Sequence, residues 1–119
     1  MRRTVLIVDD HAAFRASARA LLELDGFDVI GEATDRASAL ALARELDPEV
    51  VLLDVALPDT SGFDVAEELA GGRSKVILTS SRTQTDLGRR VRQCGAIGFV
   101  PKDELSGGAI NVLLREGRP

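Results

Sequence analysis

The chain has 119 residues, of which 45% are hydrophobic, and its aromatic residues are four phenylalanines with no Trp or Tyr. This length suits one domain with its own core, over residues 1–119, and the composition excludes a disordered tail. The net charge of −4 argues against direct nucleic-acid binding, and the single cysteine excludes an internal disulfide. The apolar run from Val5 to Val8 is too short for a signal peptide or a membrane span, so we expect a cytoplasmic protein with no membrane contact.

Five short apolar segments recur along the chain at near-equal spacing. They are rich in Val, Ile and Leu and do not alternate with polar residues, which is typical of strands buried on both faces. The segments are Thr4–Val8, Phe27–Ile30, Val50–Leu53, Val76–Thr79 and Ala96–Val100.

The sequence after each segment has helical periodicity, with apolar residues three and four positions apart. Five helices are predicted. The apolar positions of the first two are Phe14, Ala18, Leu21 and Leu22, and Ala39, Leu40, Ala43 and Leu46, the second helix ending before Pro48. The third is a short helix from about Phe63 to Ala70; the fourth has Leu87, Val91 and Cys94 and ends at Gly95, and the fifth has Ile110, Leu113 and Leu114. Strands alternating with helices predict an α/β fold, in which a parallel sheet has helices on both faces. Ligands bind such sheets beyond the carboxyl ends of the strands.

Charged and hydroxyl side chains stand at these strand ends. They are Asp9–Asp10, Asp54, Thr79–Ser80–Ser81 and Lys102, while the second strand ends in Gly31–Glu32–Ala33 with no clear partner. Adjacent carboxylates repel one another unless a cation lies between them. Mg²⁺ prefers oxygen ligands and is usually held by one or two carboxylates plus a phosphate. One carboxylate could also act as a nucleophile, with the lysine and a hydroxyl meeting a phosphoryl group.

The segments "VDDH", "LLDVALPDTSG", "LTSS" and "FVPKDEL" resemble the receiver domain of two-component response regulators, and the resemblance covers nearly the whole chain. It implies a CheY-like (flavodoxin-like) five-stranded sheet of order 2-1-3-4-5 with five helices. It also implies that Asp54 accepts a phosphoryl group from a sensor histidine kinase.

The resemblance implies further roles at the same site. Asp10 and Asp54 would ligate Mg²⁺ directly, Asp9 would do so through water, and the backbone carbonyl of Ala56 would be a further ligand. Lys102 would pair with phosphoryl oxygens, Ser80 would be the switch hydroxyl, and Phe99 would occupy the aromatic switch position. Strand alternation agrees with Ser80, because Thr79 should then face away.

The resemblance also bears on partners and lifetime. Phosphorylation would change the surface of the fourth helix, fifth strand and fifth helix, acting on a DNA-binding output domain outside this chain or on another protein. The first helix would meet the kinase, and a homodimer is plausible. Ala56 and Arg82 occupy the two positions that govern water's access, and Ala56 orients no water, so we expect slow self-dephosphorylation.

Simpler interpretations stay open for single residues. The Asp9–Asp10 pair can cap a helix, Ser80 can be a turn residue, and His11 is better explained as a solvent-facing residue than as a metal ligand. Three other functions compete with this one. An aspartyl phosphohydrolase would place a general acid where Ala56 stands, and a flavin or nucleotide binder would bring a phosphate that Asp9–Asp10 would repel. The third is an interaction module that is never phosphorylated.

Overall fold

A computed structural model describes residues 2–81 and 87–116, which form a five-stranded parallel sheet with helices on both faces. The strands are β1 (Thr4–Val8), β2 (Asp28–Ala33), β3 (Val50–Asp54), β4 (Lys75–Ser80) and β5 (Gly98–Pro101). The helices are α1 (Ala12–Leu24), α2 (Arg36–Leu46), α3 (Gly62–Leu69), α4 (Leu87–Gln93) and α5 (Gly107–Glu116), and one 3-10 turn, Lys102–Glu104, precedes α5. The strand order is β2-β1-β3-β4-β5, so the predicted fold class is confirmed.

Local sequence signals explain where α2 begins and ends. The Asp35 carboxylate accepts a hydrogen bond of 2.9 Å from the backbone N–H of Ser38, which satisfies a free donor of the first turn. The helix ends at Leu46; the next residue, Asp47, has a left-handed φ of 47°, and Pro48 follows. A proline cannot continue a helix, so the predicted stop at Pro48 is confirmed.

The second strand runs beyond its apolar segment, Phe27–Ile30. As the sequence predicted, β2 ends in Gly31, Glu32 and Ala33. Leu46 of α2 packs over Gly31, since a Cβ at this position would lie 2.8 Å from Leu46 Cδ1, the movable end of a side chain. The glycine therefore gives α2 a close approach to the strand.

The sheet separates two hydrophobic cores. One lies towards α2, α3 and α4 and contains Leu6, Val8, Ala33, Ala39, Ala43, Val51, Leu53, Leu57, Phe63, Val65, Ala66, Val76, Leu78, Val91 and Cys94. The other lies towards α1 and α5 and contains Val5, Ile7, Ala18, Leu22, Phe27, Val29, Val50, Leu52, Ile77, Val100, Leu105, Ile110 and Leu114. Adjacent residues of one strand alternate between the two cores, as the period of a strand requires.

Most buried side chains of the described residues are apolar, and the four polar exceptions stand at the carboxyl ends of the central strands. They are Asp9, Asp54, Thr79 and Ser80. Burying such groups is unfavourable unless they are paired, so this edge of the sheet is where the chain departs from a purely structural design. Within the ranges described, no helix has both the length and the apolar character to cross a bilayer.

Candidate functional site

The sheet topology brings Asp9, Asp54 and Lys102 together. Strands β1 and β3 are neighbours with Val8 opposite Leu53, so the residues that follow these two in the chain, Asp9 and Asp54, lie side by side. The Lys102 Nζ is 2.6 Å from Asp9 Oδ2 and 3.3 Å from Asp54 Oδ2. Asp9 is fully buried and Asp54 is 3% exposed. Three residues that are distant in sequence thus form one buried charged cluster.

The cluster holds more negative than positive charge. Burial raises the pKa of Asp54 above its ordinary value; the hydrogen bond from the Ala56 N–H opposes this rise, and the neighbouring Asp9 adds to it. Burial also acts to lower the pKa of Lys102, but its contacts with Asp9 and Asp54 outweigh burial and raise this pKa. One ammonium group is therefore shared between two buried carboxylates, and a further cation would be favourable.

Asp10 and His11 extend the cluster towards solvent. The His11 Nδ1 lies 3.0 Å from Asp9 Oδ1 and 3.1 Å from Asp10 Oδ1, and the His11 backbone N–H donates to Asp9 Oδ1 at 2.8 Å. Each of Asp9, Asp10, His11 and Asp54 offers one ligand atom, and these atoms all lie within 4.8 Å of one another. The His11 side chain is 66% exposed at the start of α1, as predicted, although its contacts with the carboxylates were not foreseen. An oxygen-rich cluster of this size fits a hard divalent cation such as Mg²⁺.

The loop after β3 shapes the site around Asp54. The Ala56 N–H donates to Asp54 Oδ1 at 3.2 Å, and the Gly62 N–H donates to the Val55 carbonyl at 2.8 Å. A Cβ on Gly62 would lie 2.7 Å from Val55 Cα and would also meet the Asp54 carbonyl oxygen. Only glycine allows α3 to start this close to the end of β3, which keeps Asp54 and Ala56 at the rim.

Strand β4 contributes the hydroxyl groups. Ser80 is 5% exposed and lies opposite Pro101 of β5, and Thr79 is 1% exposed and lies opposite Asp54 of β3. Val76 and Leu78 belong to the core towards α4 whereas Ile77 belongs to the other core, so alternation places Ser80 on the side of α4 and Thr79 on the opposite side. Phe99 of β5 is partly buried against the core towards α4.

Two residues of α1 touch the site, and sequence reasoning missed both contacts. The Lys102 ammonium lies 4.5 Å from the centre of the Phe14 ring, which is a favourable cation–π distance. The Arg15 NH1 group donates to the Asp9 carbonyl at 2.7 Å, while Arg15 Nε donates to Glu32 Oε1 at 3.0 Å. Glu32, left without a partner in the sequence, thus pairs with α1. The available signal was a strand-end carboxylate together with arginines four residues apart, Arg15 and Arg19.

One predicted position cannot be placed. Arg82, expected to influence water's access, lies outside the described residues, as does the side chain of Leu87.

Comparisons with known proteins agree with this geometry. The family model described as response regulator receiver domain matches residues 5–110. The nitrate/nitrite response regulator protein NarP of Escherichia coli is 43% identical over 103 residues, which are 83% of this chain and 47% of NarP. Response regulator GacA of Pseudomonas aeruginosa is 36% identical over 101 residues, 82% of this chain and 47% of GacA.

The fold is shared with solved receiver domains. The signal receiver domain of NarL from Mycobacterium tuberculosis superposes with a TM-score of 0.86 and 31% identity, over 98% of this chain and 96% of that one. The chain spans about half the length of the curated relatives it matches. By its matched residues, its sheet order and its acidic cluster, the chain belongs to the receiver-domain family of two-component response regulators, in which phosphorylation of an aspartate is the general property.

Proposed function

We propose that this domain accepts a phosphoryl group from a sensor histidine kinase on Asp54. The observation that carries the choice of Asp54 is how the three carboxylates are engaged. Asp9 accepts from His11 through Oδ1 and contacts Lys102 at 2.6 Å through Oδ2, whereas Asp10 lies at the exposed rim. Asp54 is buried at the centre, with Oδ2 only loosely paired at 3.3 Å. It is the carboxylate that combines enclosure with an available oxygen.

The transfer is a substitution at phosphorus. An ionised oxygen of Asp54 attacks the phosphorus of a phosphohistidine, a P–O bond forms, and the P–N bond breaks. The imidazole nitrogen leaves with the electron pair and takes a proton from solvent. Lys102 moves its pairing towards the phosphoryl oxygens, and the Ser80 hydroxyl donates to another of them.

The same carboxylates support a metal site. Asp10 and Asp54 would hold Mg²⁺ directly, Asp9 through water, and the Ala56 backbone carbonyl would complete the protein ligands. When bound, Mg²⁺ supplies positive charge that offsets the charge on the phosphoryl oxygens. Two observations support this assignment. The cluster has an excess of buried negative charge, and the candidate ligand atoms of Asp9, Asp10 and Asp54 lie within 4.8 Å of one another.

Phosphorylation then biases a switch. A phosphoryl group brings about two negative charges to one point of the rim. Ser80 moves towards it, and Phe99, which stands one strand away on the side of α4, occupies the space that Ser80 leaves. The surface of α4, β5 and α5 thereby shifts between two populated arrangements and controls an output domain or a partner.

The test is phosphorylation by acetyl phosphate, with and without Mg²⁺, followed by intact-protein mass spectrometry. We expect wild type to gain one phosphoryl group only with Mg²⁺, and Asp54→Asn to gain none. Asp59→Asn is the matched control, because Asp59 is an exposed aspartate of the same loop. Labelling of Asp54→Asn to the wild-type extent would show that another residue is the acceptor.

The phosphoryl group should persist. Ala56 has no side-chain group to orient a hydrolytic water near Asp54, so we expect a phosphorylated lifetime of minutes or longer. Ala56→Asn, which adds an amide at that position, should shorten it. Decay of the labelled protein after removal of acetyl phosphate measures both, and a wild-type lifetime of seconds would contradict this expectation.

Several partners follow from the proposal. The chain covers about half of its relatives, and one of the solved neighbours of the same fold is described as a DNA-binding response regulator of the LuxR family from Staphylococcus aureus. We therefore propose that a DNA-binding output domain lies outside this chain, with no nucleic-acid contact by the receiver itself. We also propose that the kinase meets α1, that the domain forms a homodimer through α5 and its neighbours, and that the protein works in the cytoplasm.

A further inference from the structure

Two hydrogen bonds through Arg15 connect Glu32, at the end of β2, to the backbone of Asp9. Glu32 Oε1 accepts from Arg15 Nε at 3.0 Å, and Arg15 NH1 donates to the Asp9 carbonyl at 2.7 Å. The Arg15 side chain is 17% exposed and that of Glu32 is 30% exposed, so these contacts are partly shielded from solvent. The contact links a helix, an edge strand and the backbone of a candidate metal ligand.

This arrangement holds both backbone groups of Asp9. Its N–H donates to the Ala33 carbonyl at 3.0 Å, and its carbonyl accepts from Arg15. Because Ala33 and Glu32 are adjacent on β2, one strand end controls both bonds. The backbone from which the Asp9 carboxylate projects is therefore held by contacts outside the acidic cluster.

Glu32 also determines where the Arg15 charge lies. Hydrogen bonds from Arg19 and then Arg15 lower the pKa of Glu32, so its carboxylate is ionised at neutral pH. Arg19 Nε binds its other oxygen, Oε2, at 2.8 Å. With its Nε held by Glu32, Arg15 directs NH1 to a carbonyl. A guanidinium released from Glu32 would be free to pair with the rim carboxylate of Asp10 and to compete with a cation there.

We propose that Arg15 and Glu32 are positioning residues for the divalent-cation site, which they act on through the Asp9 carbonyl. The inference rests on the proposed function, because it takes the carboxylates of Asp9, Asp10 and Asp54 as the ligands. It predicts whether cation affinity falls or rises when Arg15 is replaced. Electrostatics alone says that removing the Arg15 charge should tighten cation binding, whereas loss of positioning should weaken it.

The experiment measures Mg²⁺ affinity by isothermal titration calorimetry, since the chain has no Trp or Tyr to report binding by fluorescence. Wild type is compared with Arg15→Met, Arg15→Lys, Glu32→Gln and the double variant. Loss of groups that orient metal ligands typically costs 10–100-fold in metal affinity, so we expect about tenfold weaker binding for Arg15→Met. Arg15→Lys keeps the charge but replaces the two nitrogens that bind Glu32 and the Asp9 carbonyl with a single one, so it should lie between wild type and Arg15→Met.

The matched controls are Arg36→Met and Glu68→Gln. Arg36 Nε and NH2 bind Glu68 at 2.8 and 2.7 Å, joining α2 to α3 through a pair of similar type that does not touch the acidic cluster. Both controls should bind Mg²⁺ as wild type does. Acetyl phosphate labelling gives a second measurement: the Arg15 and Glu32 variants should need more Mg²⁺ for half-maximal labelling but reach the wild-type rate at saturating Mg²⁺.

The outcomes separate the two proposals. If wild type neither binds Mg²⁺ nor takes label, the proposed function itself fails. If wild type labels but Arg15→Met binds Mg²⁺ equally or more tightly, the positioning role is overturned and the proposed function stands. Equal weakening in Arg36→Met would also overturn it, as would a double variant whose loss is the product of the two single losses. Should Arg15→Met not fold, Arg15→Lys decides the matter with the same readouts: it keeps the charge, so weaker Mg²⁺ binding would support the positioning role and unchanged binding would overturn it.

Discussion

Charged side chains are exposed and paired at the amino end of the sheet but buried and unbalanced at its carboxyl end. At the amino end, Arg3 NH1 and Glu49 Oε2 are 3.4 Å apart, with side chains 43% and 51% exposed. At the carboxyl end, Asp9 and Asp54 are buried and share Lys102, whose side chain is 15% exposed. The first pair is balanced and solvated, so it contributes little to folding. The second cluster is unbalanced and enclosed, so it costs folding free energy that a cation or a phosphoryl group can alter.

This difference teaches where the chain gives up stability for chemistry. At the amino end, polar groups are paired in simple hydrogen bonds. Ser74 Oγ donates to the Pro48 carbonyl at 2.6 Å, and the Glu49 N–H donates to Thr4 Oγ1 at 2.9 Å. The carboxyl end instead leaves Thr79 Oγ1 buried without a hydrogen-bond partner among the described residues. Native structures rarely leave such groups unsatisfied away from functional sites.

The largest effect on stability should come from adding a side chain at Gly62, where α3 begins close to the carboxyl end of β3. Gly62→Ala places a Cβ against Val55 Cα and the Asp54 carbonyl, so backbone must shift, and we expect a loss of about 3 kcal/mol in the free energy of unfolding. Urea denaturation followed by far-UV circular dichroism measures it. Gly71→Ala is the control, because a Cβ there meets no atom within 4 Å. Equal stability of the two variants would contradict the close approach.

A smaller effect is expected from removing the shared cation. Lys102→Met leaves two buried carboxylates unpaired, and without Mg²⁺ we expect a loss of about 2 kcal/mol, below the value for a fully buried pair because one carboxyl can take up a proton. The same denaturation experiment tests it. Arg3→Met, at the solvated end, should change stability by at most about 0.5 kcal/mol. If the two losses are equal, the contrast between the two ends is wrong.

The smallest effect should be a gain. The pKa of Asp54 is raised, so its contribution to stability is fully present below the ordinary aspartate pKa and is lost as pH rises through the raised value. At neutral pH without Mg²⁺, Asp54→Asn removes an ionised buried group, and we expect about 1 kcal/mol greater stability. Melting temperatures between pH 3 and 8 measure this, and Asp59→Asn serves as the exposed control. A less stable Asp54→Asn protein at neutral pH would show that Asp54 is already compensated.

The strands and most helices could be predicted from the sequence because their signals are local. Pro48 and Gly95 each mark a helix end, and Gly95 indeed has a positive φ of 87°. The role of Gly31 within β2 could not be predicted this way, because it depends on the packing of Leu46 from another element. A contact of that kind is tertiary and leaves no periodic signal.

That Asp9, Asp54 and Lys102 meet at one edge of the sheet could be predicted from the sequence, because the carboxyl ends of parallel strands lie together. Their pairings could not be predicted. The sequence did not show that Lys102 lies closer to Asp9 than to Asp54, or that the Phe14 ring covers its ammonium. Those contacts depend on the angle between α1 and the sheet, which a single sequence does not specify.

The separation of the hydrophobic interior into two layers has one further consequence. Alternation places Ser80 on the side of the layer that includes Val91 of α4, while Ala18 and Leu22 of α1 belong to the other layer. A rearrangement that starts at the tip of β4 can therefore repack the layer next to α4 while α1 keeps its packing on the opposite face. A domain built this way can signal through half of its interior and remain folded through the other half.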